Sequence, residues 1–348
     1  MRPEQWDTFK RAARGEHLSQ IPLALIIDSP WIPGYLGINH LDYYLDPEVW
    51  FQAHLKIHRE FPDIIFFPSW WMEYGMAAEP SALGTKIKFW PNNTPSECHA
   101  LHTIEDLEKL PEYDVRADAF MALTLHRIRM QRQRILDQGE ILPVVTSRGP
   151  LCTAGFVRGT TEFMMDIMEK PEWAHRLIDL CTRMTIDWLK AQVEAMGPTV
   201  EGIFILDDIV GFLKPAHYLE FAHPYLKRIC DAFPKDWVKV YHNDANINGC
   251  LEQLPDCGFH VLNWGKQTDV AEVKRRVGNR ICLMGNVNPL EVGVRGTPEE
   301  MRAATLAVLE KSGGEGLILS VGGGASPGMP RQNILAMQQA LSEYNAKR

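Results

Sequence analysis

Eight short apolar runs, nearly every one followed by a helical pattern, constrain this chain more than any other feature. They are Ile21–Ile27, Ile64–Phe67, Leu142–Thr146, Gly202–Leu206, Val238–Tyr241, Phe259–Trp264, Arg280–Met284 and Gly316–Ser320. Strands that alternate with helices form a parallel sheet covered on both faces, and such strands read as near-continuous apolar runs. Eight such units favour closure into a (β/α)8 TIM barrel over an open doubly wound sheet. No Gly-x-Gly-x-x-Gly opens a helix after the first run, so a dinucleotide fold loses its main support. The helix signals are equally regular. Asp46-Pro47-Glu48 supplies a carboxylate cap, a first-position proline and an acid, and predicts a helix to about Phe61. Further helices are predicted over 4–14, 116–138, 171–196, 215–233 and 269–277, and from Thr297 and Pro330 onward.

One stretch breaks the rhythm. Between Pro68 and Thr103, after the second strand, lie Trp70, Trp71, Glu73, Tyr74, Glu79 and Trp90. Thr85 to Trp90 alternates like a half-exposed strand, so a hairpin-like aromatic insertion is expected here. Loops this long are usually functional or disordered, and this one is too aromatic for disorder. No low-complexity or Pro/Gly/Ser-rich linker divides the 348 residues, so residues 1–348 are read as one α/β domain.

The net charge of −8 argues against non-specific nucleic-acid binding, which needs a basic face. No apolar run approaches the ~20 residues of a membrane span. The first residues, MRPEQWDTFKRAARGEH, lack the apolar core of a signal peptide. A soluble cytoplasmic protein with no nucleic-acid or membrane partner is expected. Seven cysteines, an odd number with no Cys-x-x-Cys pair, speak against a disulfide framework and a zinc finger.

In a barrel, chemistry sits at the carboxyl ends of the strands. Those ends collect Asp28, Trp70, Trp71, Arg148, Asp207, Asp208, His242, Asp244, Asn263, Asn286, Asn288 and the Gly322–Gly324 loop. Each has a bland reading. An aspartate at a strand end is often a helix cap, and Asn288 before Pro289 is ordinary turn chemistry. Their joint occurrence points to a site. His242 with Asp207, Glu220 or Asp244 has the nitrogen and oxygen chemistry of a divalent-metal centre. The His-x-Asp spacing of His242 and Asp244 puts both side chains on one side of an extended strand. Acid–base catalysis by the same pair fits that spacing equally well.

The motifs FKRAARGE, IPLALI, LDPEVWFQAHLKIHREF, ILDDI, HPYLKRICD, VYHNDAN, LMGNVNP and LILSVGGGASPGMPRQNILA occur in this order along nearly the whole chain. Together they resemble the uroporphyrinogen decarboxylase superfamily, and within it the corrinoid-dependent methyltransferase branch. Two departures choose the branch. Decarboxylases of this superfamily carry an arginine-rich segment after the first strand. Here that place reads DSPWIPGYLG, with no arginine from Ile21 to Lys56. A pocket for many carboxylates without cationic partners is costly. Thiol-methylating members hold zinc with a His-x-Cys pair on the fifth strand and a cysteine after the eighth. The matching positions here are His242, Asp244 and the stretch from Gly322 to Ala325, and both cysteines are missing.

An oxygen-rich site is harder and more Lewis-acidic toward an oxygen substrate. The resemblance therefore implies O-demethylation. A methyl group would leave a small methylated donor, a methoxylated aromatic compound, for the Co(I) corrinoid of a partner protein. It implies zinc held by His242, Glu220 and Asp207, with Asp208 or Asp244 as the acid near the leaving oxygen. Trp70, Trp71 and Tyr74 would suit a flat substrate, with Asp28, Arg148, Asn263 and Asn286 completing its pocket. The competing readings are a metal-free decarboxylase and a non-catalytic member that binds a small molecule or a corrinoid protein.

Overall fold

A computed structural model describes all of residues 1–348. Ten strands form: β1 (Ala24–Ile26), β2 (Ile65–Phe67), β3 (Lys86–Trp90), β4 (Asn93–Cys98), β5 (Val144–Arg148), β6 (Gly202–Leu206), β7 (Val238–Asn243), β8 (Val261–Trp264), β9 (Cys282–Val287) and β10 (Leu317–Val321). Strands β5 to β10 make one parallel ladder in sequence order, and β1 pairs with β2 in another. Two parallel bridges, Leu23 to Leu319 and Ile26 to Gly324, tie β10 to β1. The result is an α/β protein with a parallel, barrel-like sheet.

The interior is legible in the alternation of side chains. Ala24, Ile26, Ile65, Phe67, Val144, Phe204, Leu206, Val238, Val240, Val261, Cys282, Met284 and Ile318 form a buried cluster of their own. The residues between them, such as Leu25, Phe66, Val145, Ile205 and Tyr241, join a larger cluster under the helices. This is the period of two of a strand buried on both faces. Trp6 and Phe9 of the helix Pro3–Ala13 pack into the interior cluster beneath the amino ends of the strands.

The ladder expected to be continuous has a seam, since no ladder joins β2 to β5. Strands β1 and β2 are only three residues long, and beyond β2 the backbone turns away through positive φ at Ser69 and Trp70. The free edge of β5 would leave buried backbone groups unpaired, which is costly. Side chains fill the role of the absent strand. Gln192 accepts from Thr146 N at 3.2 Å and donates to Thr146 O at 2.8 Å. Glu79 Oε1 accepts from Arg148 N at 2.8 Å and Ser147 Oγ at 3.0 Å. Gln192→Leu strips both partners from Thr146, and each unsatisfied buried group costs about 1–3 kcal/mol. A stability loss of about 2–4 kcal/mol is expected by urea unfolding. A loss below about 0.5 kcal/mol would show that water seals the seam.

The aromatic insertion does form an antiparallel hairpin, β3 with β4. The Asp46 cap is present, its Oδ1 accepting from Glu48 N at 2.7 Å. The segment after β5, for which no helix is predicted, holds two helices, Pro150–Arg158 and Thr160–Glu169, separated at Gly159. One prediction needs correction. The single helix expected over 215–233 is broken into a short α piece, a π turn at Tyr218–Ala222 and the helix His223–Asp231. Pro224 has no N–H to give and its ring crowds the preceding turn, so the α ladder cannot run through it. No helix is long and apolar enough to cross a membrane.

Candidate active site

The phase of β6 decides the roles of its two terminal aspartates. Phe204 and Leu206 face the interior, so Asp207 turns toward the helices and Asp208 turns back over the strand ends. Asp207 is wholly buried, and its carboxylate accepts from Leu151 N at 3.1 Å and Cys152 N at 2.8 Å. It thus caps the helix Pro150–Arg158. Burial pushes its pKa up to about 7, against the pull of those two donors. Its backbone carbonyl receives Tyr241 Oη at 3.1 Å and Asn243 Nδ2 at 2.7 Å, which pin the loop that carries Asp208.

His242 faces the interior from the end of β7. Its Nδ1 lies 2.7 Å from Asn263 Oδ1. Its Nε2 lies 3.7 Å from Asp244 Oδ2 and 3.9 Å from Asp208 Oδ1. Asp208 Oδ1 also accepts from Asp244 N at 2.6 Å, so the two acidic loops are latched together over the imidazole. Across the opening stand Asp28 and the buried Glu73, whose Oε1 accepts from Ser29 N at 2.8 Å. Burial, aided by the neighbouring Glu73 charge, pushes Asp28 up to about 7 despite Arg148 and His242. Burial also raises Glu73. Asp244 is raised by lost hydration and by Asp208, while the 53% of its side-chain surface left in solvent tempers the effect.

The tryptophans part company. Trp71 faces the interior, its ring 6.1 Å from Phe204, with the Arg148 guanidinium 5.5 Å from its centroid. Trp70 is 1% exposed and lies in the core against Phe51 and His54, its indole N–H donating to Glu140. Tyr74 packs beneath the hairpin with Tyr44, Phe89 and Phe120. So of the three rings expected to line a pocket, only Trp71 stands at the strand ends. Asn286 uses its amide on Gly265 O and Thr268 O at 3.3 and 3.0 Å, and holds the loop after β8. Asn263 is fully buried and touches His242 instead of the opening.

The expected zinc set is not assembled. Asp207 is a helix cap, and Glu220 sits half exposed on the π turn, 3.5 Å from His175 Nε2. His242, Asp208 and Asp244 are neighbours, yet no three His, Cys, Asp or Glu side chains converge so as to hold a metal ion. Zinc needs three or four donors at about 2.0–2.3 Å.

The uroporphyrinogen decarboxylase family model matches residues 4–344. The chain belongs to the uroporphyrinogen decarboxylase family. This family member is 25% identical to a uroporphyrinogen decarboxylase of Danio rerio, over 97% of this chain and 94% of that protein. It is also 25% identical to that of Pseudoalteromonas translucida, over 77% of this chain and 76% of that protein. Among solved structures, a methyltransferase from Methanosarcina mazei superposes with a TM-score of 0.82, at 22% identity and 97% coverage of both chains. A B12-independent methionine synthase from Shewanella sp. W3-18-1 superposes with a TM-score of 0.59, at 10% identity, covering 94% of this chain and 97% of that one.

Within this uroporphyrinogen decarboxylase family member, Glu73 is the residue at the strand ends that the sequence reading did not assign. A signal was present, because Glu73 is a lone carboxylate between Met72 and Tyr74 in an otherwise apolar stretch. What sequence could not show is that the chain after β2 folds back to place it against Ser29.

Proposed function

We propose that this protein is a methyltransferase, working at the carboxyl ends of a (β/α)8 barrel. It moves a methyl group from a small methylated donor, a methoxylated aromatic compound, to the Co(I) corrinoid of a partner protein. The observation that carries this reading is the character of the opening. Asp28, Glu73 and Asp244 all have raised pKa values, Asp28 and Asp244 lie within the influence of His242 and Glu73 stands beside Asp28, while the loop after β1 offers no arginine. Such a site suits protonation of a leaving oxygen and does not suit a polycarboxylate. In balance, the C–O bond breaks with its electron pair going to oxygen, and that oxygen takes a proton. The Co(I) acceptor supplies the pair for the new bond to the methyl group. Asp28 or Asp244 holds the proton where an alkoxide or phenolate would develop charge. Trp71 offers a flat apolar wall for the ring of the donor. The likeness in fold to a methyltransferase supports the same reading.

The test is direct. The protein is mixed with free Co(I) cobalamin and a panel of methoxylated aromatic compounds, and loss of the Co(I) absorbance is followed. No methyl transfer from any member of the panel to the cobalamin would count against the reading.

The pH dependence follows from Asp28. A carboxyl raised to about 7 is protonated below that pH and loses its proton as pH rises through it. If Asp28 is the acid, kcat/KM falls above pH about 7, approaching tenfold per pH unit, and Asp28→Asn lowers the rate and removes that limb. An unchanged limb in Asp28→Asn would move the role to Asp244.

A decarboxylase reading is favoured by the names of the curated relatives. It predicts CO2 release from a carboxylated porphyrinogen without any corrinoid, which labelled substrate would detect.

A further inference from the structure

We propose that Asn263 is a positioning residue that fixes the tautomer of His242, so that a lone pair on Nε2, and not an N–H, faces Asp208 and Asp244 in the neutral ring. The inference deepens the reading of this site given above and rests on geometry alone. Asn263 and His242 are register partners on adjacent parallel strands, β8 and β7, so their side chains point the same way, into the interior. Both are buried, at 0% and 5% exposure.

The amide of Asn263 can be oriented in only one way. Its Nδ2 donates to Met284 O at 2.8 Å on β9 and to Val321 O at 3.3 Å on β10. A flipped amide would set its oxygen against two carbonyl oxygens, none of which can donate. Oδ1 is therefore the atom that faces His242 Nδ1 at 2.7 Å. An amide oxygen only accepts, so Nδ1 must carry the hydrogen. In the neutral imidazole the remaining nitrogen, Nε2, then bears the lone pair. It points to the gap between Asp244 Oδ2 and Asp208 Oδ1.

The consequence is a defined acceptor in a ring of acids. A carboxyl proton at Asp244 or Asp208 has a lone pair to point at, and once either side chain swings in from 3.7 or 3.9 Å to hydrogen-bond distance a proton can pass between carboxyl and imidazole without turning the ring. The opposite tautomer would present an N–H there and could only donate. Two carbonyls from two different strands thus set the chemical character of a nitrogen on a third.

Imidazole nitrogen NMR tests this on protein labelled with 15N-histidine. The His242 signals are assigned by their loss in His242→Gln, and the comparison is with Asn263→Asp and Asn263→Leu. At a pH where the ring is neutral, wild type is expected to show the Nδ1–H form. Asn263→Asp, its buried carboxyl protonated so that the O–H takes the place of Nδ2 toward Met284 O, keeps an oxygen acceptor at Nδ1 and retains that form. Asn263→Leu removes it, and His242 populates both tautomers. Methyl transfer in Asn263→Leu falls by about tenfold or more, with partial rescue in Asn263→Asp. Wild type in the Nε2–H form overturns the proposal, and so does an unchanged Nδ1–H form in Asn263→Leu. If Asn263→Leu does not fold, the wild-type and Asn263→Asp spectra still decide. The tautomer is read without any methyl donor, so its failure is separable from failure of the methyltransferase reading.

Discussion

Replacing His242 with alanine is expected to lower kcat/KM for methyl transfer by about 10²–10⁴-fold, the range for loss of a positioned acid or base. The physical basis is that His242 is the only imidazole within 4 Å of Asp208 and Asp244. Its Nε2 therefore has no substitute as the acceptor between them. Truncation also orphans Asn263 Oδ1, so a stability loss of about 1–3 kcal/mol should accompany the kinetic loss. His242→Gln separates the two effects, because a glutamine amide can still donate to Asn263 but offers no basic nitrogen. Thermal unfolding close to wild type together with a rate as low as that of the alanine variant is the expected pattern for it. Full activity in a folded His242→Gln protein would remove His242 from the chemistry.

The second large effect concerns the scaffold. A Cβ added at Gly149 would meet the Cβ and carboxylate of Asp207. Asp207 cannot step aside cheaply, because it caps the helix Pro150–Arg158 through Leu151 N and Cys152 N. Gly149→Ala forces overpacking, at about 1–3 kcal/mol, and with it displacement of the cap, at about 0.5–2 kcal/mol. A combined loss of about 2–4 kcal/mol is expected from denaturant unfolding. Because the same loop carries Asp208, methyl transfer should fall as well. The double variant with Asp207→Ala should recover part of the stability, since the clash is then absent. Failure to recover any would mean that Gly149 is needed for another reason.

The residues themselves show why the site was only partly legible. His242 and Asp244 could be found because a β-branched run ends in polar residues two apart, and that spacing survives any small error in the strand boundary. Asp207 and Asp208 could not be told apart, because a shift of one residue in phase exchanges the inward and outward positions. Packing of Phe204 and Leu206 sets that phase. Glu220 was placed by a regular helix that Pro224 interrupts with a π turn. Trp70 and Trp71 are neighbours in sequence but point to different cores, since the backbone reverses at Ser69 and Trp70.

By itself, then, the sequence determined the alternation of strands and helices, the parallel sheet, the aromatic hairpin and the end of the sheet where the polar groups gather. These are matters of local period and capping, which a chain carries residue by residue. The tertiary structure alone decided the seam between β2 and β5, the division of Asp207 from Asp208, the place of Glu73 and the orientation of the Asn263 amide. Each of these depends on which distant backbone groups lack a partner once the strands have met, and no local pattern records that.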